Sequence, residues 1–253
     1  MSQLQKTIAR LQRRDGPAIG FGPVSREQPR AMALIALVSS ATQARAALDA
    51  GADAVLFHAG DAATAAAAME GVAGPKVAAG ALLHALSEAD AETLQAAGCD
   101  FAVSALETTD SGAVDPEKMG HVVIAHEGIE DNTLRSLPPL GLDGLYVERP
   151  AGAMKLSTQL GLVRLASFST TGLLATVDPG ASVSELRVLR DSGVVAVVAP
   201  ASAAAADISA LGACLKDVPA PRKPRREGGG DMALVPSVKS SAADDEDGEE
   251  EEE

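Results

Sequence analysis

Four residues offer this chain its clearest chemistry. His58 closes the run "AVLFH", Glu107 closes "CDFAVSALE", His126 closes "HVVIAH", and Glu148 follows "GLYV". Each stands at the end of a short aliphatic stretch. A histidine titrates near neutral pH and a carboxylate accepts protons. Two imidazoles and two carboxylates would therefore suffice for proton transfer beside a carbonyl, or for holding a divalent metal, if the fold gathers them. His126 and Glu127 are neighbours in sequence, yet they do not make a dyad. Side chains alternate across a strand, so if His126 follows the inward set of Val122 and Ile124, Glu127 points elsewhere and meets the start of the following helix.

The elements that must position these groups repeat. A run rich in Val, Ile, Leu and Ala gives way to polar punctuation, and an amphipathic stretch ending in Gly follows. In "ALIALVSSATQARAALDAGADAVLF", Ala33 to Val38 reads as a strand, Ser39-Ser40 as loop or cap, and Thr42 to Ala50 as a helix. Gly51 is its cap, and Ala54 to Phe57 opens the next strand. The unit recurs through "KVAAGALLH", "CDFAVSALE", "HVVIAHEG", "LDGLYVERP", "GLLATVDPG" and "VVAVVAP", giving eight strands, each followed by a helical segment. Alternating strands and helices imply parallel pairing through right-handed crossovers. Eight units make a (β/α)8 TIM barrel. The competing open doubly wound sheet usually carries a glycine fingerprint after its first strand, where this chain has "VSSATQA".

Three segments follow: residues 1–30 as a helical extension, 31–218 as the barrel, and 219–253 as a tail. The extension holds a helix over Leu4 to Arg13 and then "AIGFG", read as a plug across the barrel bottom in preference to a ninth short strand. The tail begins "PAPRKPRREGGG" and ends in nine carboxylates over Asp244 to Glu253, a composition expected to be disordered. Its short island "DMALVPSV" is either a docked segment or a peptide for a partner. The basic cluster of Arg222, Lys223, Arg225 and Arg226 reads as a linker that pairs with the acidic end or as a contact for a polyanion or an acidic protein, and the acidic run as a surface for a basic partner or a solubilising tail. Of the net charge of -14, that acidic run holds nine negative charges, leaving about -5 on the rest. Such a balance disfavours nucleic acid, as does an aromatic content of 2 %. Cys99 and Cys214 read as buried free thiols. No uninterrupted apolar run approaches the roughly 18 residues of a membrane span, and the polar N-terminus lacks a secretion signal. A soluble cytoplasmic protein is expected.

In a barrel of this kind the loops after the strands form the working face. Besides the four residues above, Ser39, Ser40, His84, Glu127, Arg149, Asp178 and Pro200-Ala201-Ser202 fall at strand ends. Polar residues are expected there in any case, where strands exit to solvent. His84 reads as a loop residue leading a helix, and His121 lies at the opposite, N-terminal end. After the seventh strand, Gly180 and Ser182 in "VDPGASVSEL" offer N–H groups to an anion at a helix start, or equally a turn and a Ser N-cap. No strand ends in Lys, so a Schiff-base mechanism lacks its nucleophile.

The units "ARAALDAGADAVLF" and "LRVLRDSGVVAVVAP" resemble those of aldolase-type barrels, over about residues 31 to 218. That superfamily includes lyases, isomerases, phosphate-binding biosynthetic enzymes and flavin oxidoreductases. The chain also resembles uncharacterised bacterial barrels with a basic tail. The resemblance implies a small-molecule ligand at the strand C-termini, without naming a cofactor, and this chain lacks the paired glycine phosphate loops. Two functions are open at this point. One is an acid/base lyase or isomerase acting on a carbonyl or phosphorylated substrate. Here His126 would be base or acid, Glu107, Glu148 and His58 would orient or ligate, and Gly180 and Ser182 would hold an anionic group. The other is a non-catalytic barrel scaffold whose tail contacts partners.

Overall fold

A computed structural model of the chain describes residues 1–12, 30–74, 77–126 and 128–219. Eight parallel strands close on themselves in sequence order, β1 (Ala33–Val38), β2 (Ala54–His58), β3 (Ala78–Leu82), β4 (Phe101–Ala105), β5 (Gly120–Ala125), β6 (Gly144–Val147), β7 (Leu173–Thr176) and β8 (Val194–Ala199). The ring is shut by β1 against β8, with Ala33 beside Ala196 and Ala36 beside Ala199. The fold is a (β/α)8 barrel.

Two apolar sets divide along each strand, as the two-residue period requires. Inside the barrel lie Ala33, Ile35, Ala54, Leu56, Ala78, Phe101, Val103, Val122, Tyr146, Leu174, Ala196 and Val198. Their alternates, such as Leu34, Val55, Ala81, Val123 and Val197, pack outward under the helices. With so few aromatics, the interior is filled by matching large residues to small ones. A Cβ at Gly80 would stand 2.4 Å from the Phe101 ring, and one at Gly144 would stand 2.5 Å from Leu174. Those two glycines leave the space that the larger side chains occupy.

The helical coat is α2 (Ala41–Asp49), α3 (Ala62–Met69), α4 (Glu88–Ala96), α5 (Asp131–Arg135), α6 (Leu156–Ser169), α7 (Val183–Asp191) and α8 (Ala205–Asp217). Polar punctuation at the strand ends becomes helix capping. Ser40, Asp61, Ser87 and Ser182 each accept a backbone N–H of the first turn. At the far ends the chain reverses through left-handed glycines, Gly51 at φ 97° and Gly193 at φ 92°.

The expectation of a helix after every strand needs one correction. β4 is followed only by a single 3-10 turn, Leu106–Thr108, and then by irregular chain up to β5. "TTDSGAVDPEKMG" alternates turn formers with isolated apolar residues and never sustains a helical period. α5 is short as well, five residues followed by a 3-10 turn at Pro138–Leu140. Cys99 is buried and free, but Cys214 is only partly buried.

The barrel bottom is covered by α1 (Gln3–Gln12), whose Leu4 and Ile8 join the interior apolar set. The expected "AIGFG" plug, Glu127 and the tail from residue 220 lie outside the described residues. Three aspartates that precede even-numbered strands tie this end together. Asp53 accepts the Leu34 N–H at 2.9 Å and pairs with Arg30 at 3.3 Å. Asp100 accepts the first N–H groups of α1, from Gln3 at 2.7 Å and Leu4 at 2.9 Å. Asp143 accepts the Ser2 hydroxyl. Burial pushes the Asp143 carboxyl above its ordinary range, the Ser2 hydrogen bond opposes this, and the nearby Asp100 charge adds to the push.

A carboxyl raised on folding contributes stability below its unfolded pKa and loses it as pH rises through the folded value. Asp143→Asn keeps an oxygen for the Ser2 hydroxyl and removes the buried charge. Urea unfolding should place its midpoint above that of the parent at neutral pH, with the gap closing in acid.

Candidate active site at the barrel mouth

Strand order brings the ends of β4, β5 and β6 side by side, with β2 across the barrel. Glu107 lies in the 3-10 turn after β4, His126 directly follows β5, and Glu148 directly follows β6. All three side chains are exposed, as is His58 at the end of β2. Beneath this rim lies an apolar floor of partly buried Leu37, Leu82 and Ile124, packed on the barrel interior.

His126 is the most constrained of the four. The Gly128 backbone N–H donates to its Nδ1 at 3.0 Å. The lone pair at Nδ1 is therefore engaged, and a neutral ring carries its hydrogen on Nε2. That nitrogen lies 3.9 Å from Glu107 Oε1, within ion-pair reach when the ring is charged but beyond hydrogen-bond length. In this arrangement His126 offers a donor at the mouth, and its use as a base would first require release of Gly128. His58 and Glu148 do not approach His126 closely enough to pair with it.

Tyr146 was not marked by its position in sequence, although it stands two residues before Glu148 and so shares its face. It is the only tyrosine in the chain, and Trp is absent. Its side chain is 2 % exposed inside the barrel, and its hydroxyl has no hydrogen-bond partner. Burial first, and then the charge of Glu148, push its pKa up to about 12. The inward parity of residues 144, 146 and 148 was the signal that could have found it.

Other strand-end residues serve the loops. Arg149 is 3 % exposed and bound to Glu185 at 2.9 Å, while its backbone N–H donates to Thr176 Oγ1 at 2.7 Å. Asp178 accepts the Gly152 N–H at 2.7 Å. His84 is exposed, and its carbonyl accepts the Thr108 hydroxyl at 2.5 Å. Ser182 caps α7 by accepting the Glu185 N–H at 3.3 Å and lies 2.9 Å from the Ser184 hydroxyl. A Cβ at Gly180 meets nothing within 4 Å, so that turn is open. Among the described strand ends Arg149 is the one Lys or Arg, and Glu185 holds it. No group of three or more His, Cys, Asp or Glu among the described residues could hold a metal ion. No helix among them is long and apolar enough to cross a membrane.

Comparison with known proteins gives the same architecture. No protein-family model and no curated protein matches the chain. Among solved structures, phosphoribosyl anthranilate isomerase from Thermus thermophilus superposes with a TM-score of 0.55 at 15 % identity, covering 74 % of this chain and 100 % of that one. Tryptophan synthase from M. tuberculosis gives 0.60 at 12 % identity, covering 86 % and 98 %. A mutant tryptophan synthase alpha-subunit from Pyrococcus furiosus gives 0.53 at 12 % identity, covering 75 % and 98 %. These likenesses establish the shared barrel, whose chemistry differs from member to member.

Because Tyr146 is the sole tyrosine, phenolate absorbance reports it alone. Replacing Glu148 by Gln removes the second cause of its raised pKa. The alkaline titration of the variant should move from about 12 toward the ordinary value of 10.

Proposed function

We propose that the chain is a small-molecule enzyme of the cytoplasm, a lyase or isomerase that moves a proton beside a carbonyl at the barrel mouth. The observation that carries this reading is the hold on His126, with Nδ1 engaged by Gly128 and Nε2 turned out beside Glu107. A neutral imidazole donor suits a carbonyl oxygen that gains charge during reaction. Glu148, on the next strand, is the base. Its carboxylate takes the proton from the carbon beside the carbonyl, the C–H electron pair forms the enolate, and the His126 Nε2–H donates a hydrogen bond to the resulting oxygen anion. Returning the proton to the opposite face of the same carbon epimerises the substrate, and expulsion of a leaving group from the carbon next to it by the enolate's electron pair would be the lyase outcome. The Gly128 N–H orients His126, Glu107 lies beside its Nε2 edge, and His58 binds from across the mouth.

The apolar floor of Leu37, Leu82 and Ile124 would take the aliphatic part of the substrate. With Arg149 bound to Glu185, the described strand ends offer no free guanidinium or ammonium to a phosphate. That favours an uncharged carbonyl compound over a phosphorylated one, leaving the open turn at Gly180 and Ser182 as the place where an anionic group would sit. The likeness to an isomerase and to tryptophan synthase agrees with an enzymatic barrel.

The test uses the single tyrosine. Small ketones, aldoses and keto acids, with and without phosphate, are titrated against Tyr146 fluorescence. Compounds that bind are then followed by NMR for solvent deuterium entering beside the carbonyl. Exchange should occur in the parent and fall by about 100-fold or more in Glu148→Gln, with binding retained. If no compound changes the emission, or if exchange is indifferent to Glu148, the barrel is a scaffold and the enzymatic reading fails.

A further inference from the structure

The missing helix after β4 leaves a cleft on the outer face of β5, outside the ring of strands. Its volume is about 350 Å³, within the range of small-molecule sites. The irregular chain after β4 forms one aliphatic wall through Leu106 and Val114, and Leu140 and Leu142 form the other. Val123 of β5 lies between them. Leu140 stands 55 % exposed at the rim.

Four polar residues line the cleft as well, Thr109, Asp110, Ser111 and His121. Two of them are engaged by neighbours. The Thr109 hydroxyl lies 2.6 Å from the Ala105 carbonyl and 2.8 Å from Ser104 Oγ, and His121 Nε2 lies 2.9 Å from the same Ser104 Oγ. Burial lowers the His121 pKa, so in either tautomer the ring is uncharged at neutral pH. The other two are not engaged. Among the described residues, the Asp110 carboxylate and the Ser111 hydroxyl have no hydrogen-bond or ion-pair partner, and both residues are exposed. Lys118, the nearest lysine along the chain, pairs with Asp115 at 3.3 Å and is not part of the lining. The cleft is thus largely apolar and carries one formal charge, which is negative and uncompensated.

We propose that this cleft binds an organic cation, a primary amine on an apolar or aromatic body, with its ammonium against Asp110 and its body on the aliphatic walls. An ammonium brings three donors and no acceptor, which suits a free carboxylate with the Ser111 oxygen beside it. The neutral His121 ring adds no opposing charge. The chain's net charge of -14 draws cations toward the surface and repels carboxylates of the same shape. A neutral molecule with the same body would keep the apolar contact and lose the attraction.

The test compares three probes that share one body and differ in charge. Phenethylammonium, phenethyl alcohol and hydrocinnamate are titrated into the full chain at neutral pH and low salt, and binding is followed by ligand-observed NMR. The amine should bind saturably and about fivefold more tightly than the alcohol, with hydrocinnamate the weakest. Asp110→Asn, a change at an exposed position, should bring the amine down to the alcohol's affinity and leave the alcohol unchanged. Leu140→Arg places a like charge at the rim and should weaken the amine. The proposal is overturned if the amine shows no saturable binding, if the alcohol or hydrocinnamate binds as tightly, or if either variant holds the amine as the parent does. None of these outcomes bears on the mouth, which Tyr146 fluorescence reports.

Discussion

Closure of β8 onto β1 is the constraint on which the rest of this molecule depends. The pairing of Ala33–Ala36 with Ala196–Ala199 turns a ladder with two unpaired edges into a ring with none. Only in a ring do the ends of β2, β4, β5 and β6 surround one opening, since in an open sheet β2 and β6 would lie far apart along a line. The ring in turn demands an interior that fills without excess. Here that balance is struck by pairs such as Gly80 with Phe101 and Gly144 with Leu174, where one partner gives up its side chain so that the other fits.

Much of this architecture can be read from the letters, because each recurring signal has a local physical cause. Ser40, Ser87 and Ser182 mark helix starts because unsatisfied N–H groups need an acceptor wherever a helix begins. Gly51 and Gly193 mark helix ends because the reversal into the next strand needs positive φ. What stayed hidden depends on contacts distant in sequence. Asp100 meets the first turn of α1 across 97 residues of chain, so a helix read correctly by its pattern could not be assigned its place beneath the barrel. The role of Tyr146 was hidden for a related reason. A tyrosine within an aliphatic strand reads as core, and nothing local says that its hydroxyl would lack a partner.

The residues of the candidate site can be picked by type from the sequence, and their arrangement only in part. Strand ends selected His58, Glu107, His126 and Glu148, and the strand order makes the last three neighbours. The state of His126 could not be foreseen, because it turns on one backbone N–H two residues later, at Gly128. Ser182 shows the converse. Its spacing fitted both an anion site and a helix cap, and in the fold its hydroxyl serves α7. His121 was set aside because it lies at the wrong end of its strand for the mouth. Its neighbours become visible only once the segment after β4 fails to form a helix and leaves β5 with a thin cover.

That thin cover has a mechanical side. Seven elements of the coat are helices, while the chain over β4 and β5 is held by short turns and an isolated bridge between Leu86 and Thr109. Cooperative units open first where few buried contacts hold them. The loop over β4 and β5 is thus the part of the coat with the least regular backbone hydrogen bonding, where amide protons would exchange through small local fluctuations without loss of the whole barrel. It is also where the chain could lengthen over generations at least expense to the fold, since an insertion there would interrupt no helix.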